Sequence, residues 1–290
     1  MRILVTGGLG FVGSHLVDYL SENTESEIVV IDNLSSESSN RNYIRDGVTY
    51  WIDDIANLNT YRYENERFDL VYHLAALARI QPSFKDPLKY LNIDIMGTAH
   101  VCEFARRSGP STKIIYAGSS SAFGGPMLNP YAFAKFTGEQ CCEMYSEVYE
   151  LSTVTARFFN VYGTRQPTSG PYATVVGVFE KQTNDGHDLT VTGTGEQRRD
   201  FTHVSDIVSG LISLSKNAYS GNVYQLGTGK NYSINDLANM FGGNIRYISP
   251  RPGEAWTTLA NFDNIHKATG WFPKVSLEMY IDEMKLQIAK

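Results

Sequence analysis

"RILVTGGLGFVGSHLVDYL" (residues 2–20) is the stretch whose reading decides the fold. It opens with a short apolar run of the kind that fills a buried strand. Glycines then fall at Gly7, Gly10 and Gly13, and from Phe11 onward the apolar residues recur at helical spacing. Strand, tight turn and helix follow one another with almost no linker, which is how a βαβ unit begins.

The same grammar continues along the chain. "EIVVID" (27–32), "VTYWID" (48–53), "LVYHLAA" (70–76), "KIIYAGSS" (113–120) and "STVTARFFN" (152–160) repeat the strand signal, with helical candidates at 87–108 and 131–149. Such alternation predicts a parallel sheet covered on both faces. After Asn160 the chain turns to loops rich in Gly, Pro, Thr and Arg, broken by a helix near 205–216 and a strand near "NVYQLGTG" (222–229). The expected fold is α/β, a Rossmann-type doubly wound parallel sheet with a smaller C-terminal substrate-binding lobe. Residues 1–160 form the sheet domain, with returns near 201–229. Residues 161–200 and 230–290 form the lobe, above the carboxyl ends of the strands where open α/β sheets bind ligands.

Composition narrows the function. The 290 residues are 42% apolar, enough for a substantial core, and the net charge of −6 disfavours nucleic acid and anionic membranes as partners. The start of the chain is too short in apolar residues for a signal core, and no run reaches the length of a membrane span, so a soluble, cytoplasmic protein is expected. Cys102, Cys141 and Cys142 make an odd set without zinc or disulfide spacing and read as free thiols. The six histidines form no metal-binding cluster, so no metal is expected.

The glycine turn carries the first chemistry. Between a strand and a helix, missing side chains let backbone N–H groups and the positive helix end meet a pyrophosphate. Asp32 ends the second strand about twenty residues beyond Gly13, where a carboxylate accepts the hydroxyls of an adenosine ribose. A 2′-phosphate beside that carboxylate would bring two anions together, so NAD is favoured over NADP.

"TGGLGFVG" (6–13), "IDNLS" (31–35), "DDI" (53–55), "HLAA" (73–76), "GSSSAFG" (118–124), "PYAFAK" (130–135), "RFFNVYGTRQ" (157–166), "RRDFTHVSD" (198–206) and "RPGE" (251–254) occur in one order. In that order the chain resembles the extended short-chain dehydrogenase/reductases from end to end. It is most similar to the UDP-glucose 4-epimerase type of NAD-dependent sugar-nucleotide epimerases and dehydratases. The resemblance implies NAD held by Gly7, Gly10, Phe11, Val12, Gly13, Asp32 and Asn33, with Asp54 and Ile55 near the adenine. It places Leu74, Ala75 and Ala76 along the cofactor and adds Phe158, Tyr131 and Lys135 to the cofactor set. It also implies a homodimer built through the helices at 87–108 and 131–149.

Ser119, Tyr131 and Lys135 are the catalytic residues the resemblance implies, with Ser120 and Ser121 one and two places away. Four residues apart on a helix, Tyr131 and Lys135 share a face. A lysine ammonium and a positive nicotinamide ring would favour the phenolate, lowering the phenol toward a useful base. Tyr131 would take the O4 proton while hydride leaves C4 for NAD, and hydride return to the other face of the rotated 4-keto sugar inverts C4. Dehydratases of this type carry Asp-Glu after the active-site Ser or Thr, and here Ser120 and Ser121 stand there. The alternatives are another NAD-dependent sugar-nucleotide enzyme, such as a dehydratase, reductase or uronate epimerase, and a non-catalytic NAD-binding regulator.

For the substrate, a nucleotide sugar linked to UDP, Arg199 and Arg251 match arginines that clamp the diphosphate and Asn160 matches a polar diphosphate contact. Thr258 matches a position lining the sugar pocket, where a small residue leaves room for a 2-acetamido group. Two departures stand out: only residues 120–130 separate Ser119 from Tyr131, shorter than usual, and Thr192 stands where an aromatic often meets the base.

Overall fold

The computed structural model describes residues 1–36 and 39–288. Its centre is a seven-stranded sheet of β1 (Arg2–Thr6), β2 (Glu27–Ile31), β3 (Thr49–Trp51), β4 (Leu70–His73), β5 (Lys113–Ser119), β6 (Ser152–Phe158) and β11 (Val223–Leu226). The spatial order is β11-β6-β5-β4-β1-β2-β3, and every pairing is parallel. The order reverses direction between β1 and β4, so a crevice opens at their carboxyl ends.

Both sheet faces are buried, which explains the continuous apolar runs. Ile3, Val5, Ile28, Val30, Leu70, Tyr72 and Ile115 enter one core, and Leu4, Val29, Ile31, Val71, Ile114 and Tyr116 enter the other. Each fully buried Val, Ile or Leu contributes about 1.5–3 kcal/mol relative to exposure. The first core is closed by α1 (Phe11–Asn23), the second by α4 (Gly97–Ser108) and α5 (Pro130–Tyr149). Between β4 and α4 lie two short helices, α2 (Ile80–Lys85) and α3 (Pro87–Tyr90).

The single helix expected over 87–108 is instead three pieces, because a π-helical turn at Leu91–Met96 separates α3 from α4. Such wide turns are frequent at functional sites. Here Thr98 Oγ1 donates to Asp94 O at 2.6 Å, and Asp94 is held inside the protein, 1% exposed.

Beyond β6 come β7 (Val161–Tyr162), α6 (Val175–Asn184), β8 (Leu189–Thr192), β9 (Arg198–Asp200), β10 (Thr202–His203) and α7 (Val204–Asn217). After β11 follow β12 (Asn231–Ser233), α8 (Ile234–Phe241), β13 (Ile245–Ile248), α9 (Asp263–Thr269) and α10 (Leu277–Ile288). A third core gathers Val176, Phe179, Val191, Leu237, Phe241 and Ile281 from these segments. The stretch 230–290 does not lie wholly in that body. Ile265 and Trp271 join the first core beside α7, and Trp271 Nε1 donates to Ser209 Oγ at 2.9 Å. The buried indole anchors the α9 region against one sheet face, a long-range contact that local pattern does not encode, while Leu277, Ile281 and Met284 join the third core. Among the described residues no helix is long and apolar enough to cross a membrane.

Candidate active site

The crevice begins at the turn after β1. Gly7 adopts φ +71°, and a Cβ there would sit 2.8 Å from Ala75 N. At Gly13 a Cβ would lie 2.1 Å from Gly7 O, so the first turn of α1 packs directly on the glycine loop. Gly10 caps α1 without a side-chain hydrogen bond, and no acidic residue occupies the first turn. The N–H groups of Phe11, Val12 and Gly13 therefore form an uncapped helix end suited to an anion.

Asp32 follows β2 at the same edge. Its Oδ2 accepts from Leu9 N at 3.0 Å, and its Oδ1 accepts from Leu34 N at 2.8 Å. Asn33 Nδ2 donates to Asp54 Oδ2 at 2.7 Å, which brings those two residues together. Ile55 is buried in the second core, where it packs on Gly97. Leu74, Ala75 and Ala76 leave β4 half-buried, with Ala75 N donating to Thr6 Oγ1 at 3.1 Å. Phe158 is half-buried at the end of β6, opposite Ser119.

Ser119 ends β5, and Tyr131 stands in the first turn of α5. That helix starts with Asn129, whose side chain accepts from Ala132 N at 2.8 Å, followed by Pro130 at its first position. Tyr131 Oη donates to Ser119 Oγ at 3.2 Å, and Ser121 Oγ donates to the same oxygen at 2.9 Å. The serine brought to Tyr131 is thus Ser119, with Ser121 behind it.

Lys135 is 4% exposed, its Nζ 4.5 Å from the centre of the Tyr116 ring. Burial pushes its pKa down, while Asp94 and Glu139 act to raise it. Glu139 is itself paired with Arg157 at 2.6 Å. Burial pushes the Tyr131 phenol up, opposed by the Ser119 hydrogen bond and then by the charge of Arg79. Within the protein the charge of Arg79 acts on Tyr131, and Lys135 sits over the Tyr116 ring one helical turn away.

Two residues that sequence reading passed over complete the floor. Asp94 Oδ1 accepts from Leu77 N at 2.7 Å, whereas its buried Oδ2 has no hydrogen-bond partner among the described residues. Burial raises this carboxyl to about 7, with Lys135 opposing the rise. A lone acid among Ile93, Ile95 and Met96 was the available signal. His73 is also buried, with Nδ1 2.8 Å from Thr6 Oγ1 and Nε2 3.1 Å from Thr98 Oγ1. Because Thr98 gives its proton to Asp94 O, it accepts from Nε2–H, and Thr6 then donates to Nδ1. Neutral His73 is fully satisfied, and burial lowers its pKa to about 3.

On the facing side, Asn160 adopts φ +27° and donates through Nδ2 to Asp200 O at 2.8 Å and to Thr258 Oγ1 at 3.3 Å. Thr258 is buried, 5% exposed. Arg199 donates to Arg198 O at 2.9 Å and pairs with Glu254 at 3.3 Å, whereas Arg251 is exposed and makes no ion pair among the described residues.

Comparison with known proteins agrees with this architecture. The chain is 31% identical to UDP-glucuronic acid decarboxylase 1 of Xenopus tropicalis, across 96% of this chain and 69% of that protein. It superposes on UDP-glucose 4-epimerase of Thermotoga maritima, solved with UDP-glucose, with a TM-score of 0.91 at 28% identity and 100% coverage of both chains. UDP-glucuronic acid 4-epimerase of Bacillus cereus, solved with UDP-glucuronic acid and NAD, gives 0.89 at 28% identity, covering 100% of this chain and 99% of the other. The profile of the NAD dependent epimerase/dehydratase family matches residues 3–227. With its glycine turn at the switch point of a parallel sheet and its Tyr-x-x-x-Lys helix beside it, the chain belongs to this family of extended short-chain dehydrogenase/reductases.

Proposed function

We propose that the protein inverts C4 of a nucleotide-activated hexose. The observation that carries this reading is the 3.2 Å contact between Tyr131 Oη and Ser119 Oγ at the carboxyl end of the sheet, with Lys135 one helical turn away. The glycine cradle at Gly7 and Gly13, closed to any Cβ, and the Asp32 carboxylate at the end of β2 fit NAD. Phe11, Val12 and Gly10 would serve the pyrophosphate, and Asn33, Asp54, Ile55, Leu74, Ala75, Ala76 and Phe158 would line the remainder. NAD, when bound there, would supply the redox chemistry for reversible hydride transfer at C4.

Tyr131 would hold and return the O4 proton, Ser119 would orient that hydroxyl, and Lys135 would hold positive charge beneath the nicotinamide ribose. Ser120 and Ser121 offer no carboxylate for expelling a substituent, which favours epimerisation over 4,6-dehydration. Arg199, Arg251 and Asn160 would meet the diphosphate of a UDP-linked sugar. The small Thr258 side chain supports acceptance of N-acetylhexosamines beside UDP-glucose and UDP-galactose. A homodimer through α4 and α5 is supported by the exposed apolar side chains of Met144, Val148 and Tyr149 on α5.

The test is proton NMR of each nucleotide sugar incubated with the purified protein. Appearance of the C4 epimer, with no net oxidation, is the expected outcome. A 4-keto-6-deoxy product, or recovery of unchanged sugars in every case, would overturn the proposal.

A further inference from the structure

The end of the sheet opposite the crevice holds a second opening. Where the amino ends of β1, β4 and β5 meet the carboxyl ends of α1 and α7, the structure leaves a cavity of about 560 Å³. Protein interiors pack as densely as organic crystals and leave few voids larger than a water, whereas small-molecule sites span about 300–1,000 Å³. The floor consists of buried side chains of the first core, Ile3, Leu20, Leu70, Tyr72 and Ile212, and the exposed ring of Tyr19 extends it toward solvent. Polar groups gather at the mouth, where Asp69, Ser111 and Lys216 are exposed. None of these residues belongs to the glycine turn, the Tyr131 helix or the Asn160 side of the crevice.

The charges around the cavity select the occupant. Lys113 and Lys216 both line it, and among the described residues neither pairs with a carboxylate. Lys113 Nζ donates to Leu214 O at 3.1 Å, Ser215 O at 3.2 Å and Ala218 O at 3.1 Å, which covers the negative carboxyl end of α7. The end of α1 is covered as well, since Asn23 Nδ2 donates to Tyr19 O at 2.9 Å and Thr24 Oγ1 to Leu20 O at 2.8 Å. The one lining carboxylate, Asp69, already accepts from Arg2 N at 2.7 Å. Two lysines against one engaged acid leave the mouth positive in a protein whose net charge is −6, and the floor below it is apolar. We propose that this cavity binds a small amphiphilic anion of the fatty-carboxylate class, its chain on the apolar floor and its carboxylate at Lys216. Burying the chain removes apolar surface from water, and the ammonium supplies orientation more than affinity. The site is separate from the crevice and stands whether or not the sugar-nucleotide reading holds.

The experiment titrates decanoate, below its micelle concentration, into the full-length protein saturated with NAD and follows binding by calorimetry, with decanol and decyltrimethylammonium in parallel. Decanoate should bind one to one, saturably, and more tightly than either of the other two. Ile212→Trp fills the floor and Ser111→Trp closes the mouth, and each should weaken decanoate by about 10-fold or more. Lys216→Glu reverses the charge at the mouth and should weaken decanoate about 3- to 10-fold while leaving decanol unchanged. Ser111→Trp and Lys216→Glu are surface changes, so they decide the matter even where Ile212→Trp does not fold. Absence of saturable binding, equal affinity for all three amphiphiles, or binding indifferent to both surface variants overturns the proposal. Displacement of decanoate by UDP-glucose would place the anion in the crevice instead and overturn it too.

Discussion

Ser119 Oγ lies 3.2 Å from Tyr131 Oη and 2.9 Å from Ser121 Oγ, and it accepts from Ser121 N at 3.2 Å, so serine and phenol share one hydrogen-bonded cluster at the carboxyl end of β5. A Tyr131→Phe variant keeps the ring, and with it the edge-to-face contact with Tyr90, but has no proton to exchange. Turnover should fall about 10²–10⁴-fold, the usual worth of a general acid/base, while NAD binding is retained. Stopped-flow turnover paired with cofactor quantification checks this, and a variant as fast as wild type removes Tyr131 from the chemistry.

Gly13→Ala puts a methyl group 2.1 Å from Gly7 O. Since the obstacle is backbone, the turn and α1 must separate, and the expected cost is about 1–3 kcal/mol or more with a large loss of NAD affinity. Thermal unfolding with and without added NAD reports both. Retained Tm and affinity would show that the turn is looser than the geometry states.

Asp32→Asn keeps an acceptor for Leu9 N or Leu34 N but removes the negative charge. NAD should bind more weakly and the discrimination against NADP should shrink, because the anion that repels a 2′-phosphate is gone. Fluorescence titration with both cofactors measures the ratio, which must change if Asp32 faces the ribose.

His73 is expected to remain a neutral Nε2–H tautomer throughout the pH range in which the protein is folded. Its folded pKa is lowered to about 3 from an unfolded value near 6.5. Between those values the unfolded chain binds the proton and the native one does not, so this group makes stability fall as pH drops, by about 1.4 kcal/mol per pH unit inside the window. Nitrogen NMR of the imidazole should show no titration from pH 8 to 5. A midpoint near 6.5 would contradict the Thr6–His73–Thr98 chain.

Asp94→Asn preserves the acceptor for Leu77 N while deleting the charge that supports Lys135. Lys135 then keeps Glu139, already paired with Arg157, and faces the neutral His73 and the Tyr116 ring. With burial still pushing its pKa down, Lys135 should lose its proton at lower pH, and the alkaline limb of kcat should move toward neutrality. An alkaline limb in the same place would show that Asp94 does not govern Lys135.

What the sequence determined by itself is local. The "RILVTGGLGFVG" run could only be strand, turn and helix, since its apolar periods change across glycines that tolerate no side chain, and the alternating runs that followed demanded a parallel sheet buried on both faces. That Tyr131 and Lys135 share a face was legible for the same reason, because a helix fixes the relation of positions four apart. The tertiary structure alone decided the rest. Asp94 enters the interior on a π turn, the charge of Arg79 acts on Tyr131 from a segment far away in the chain, and Trp271 returns to the first core. It also brings the sulfurs of Cys102 and Cys142 to 3.9 Å from 40 positions apart. Each is a contact between segments distant in the chain, made by side chains whose burial and charge cost are settled only when the sheet, its helices and the later segments close on one another.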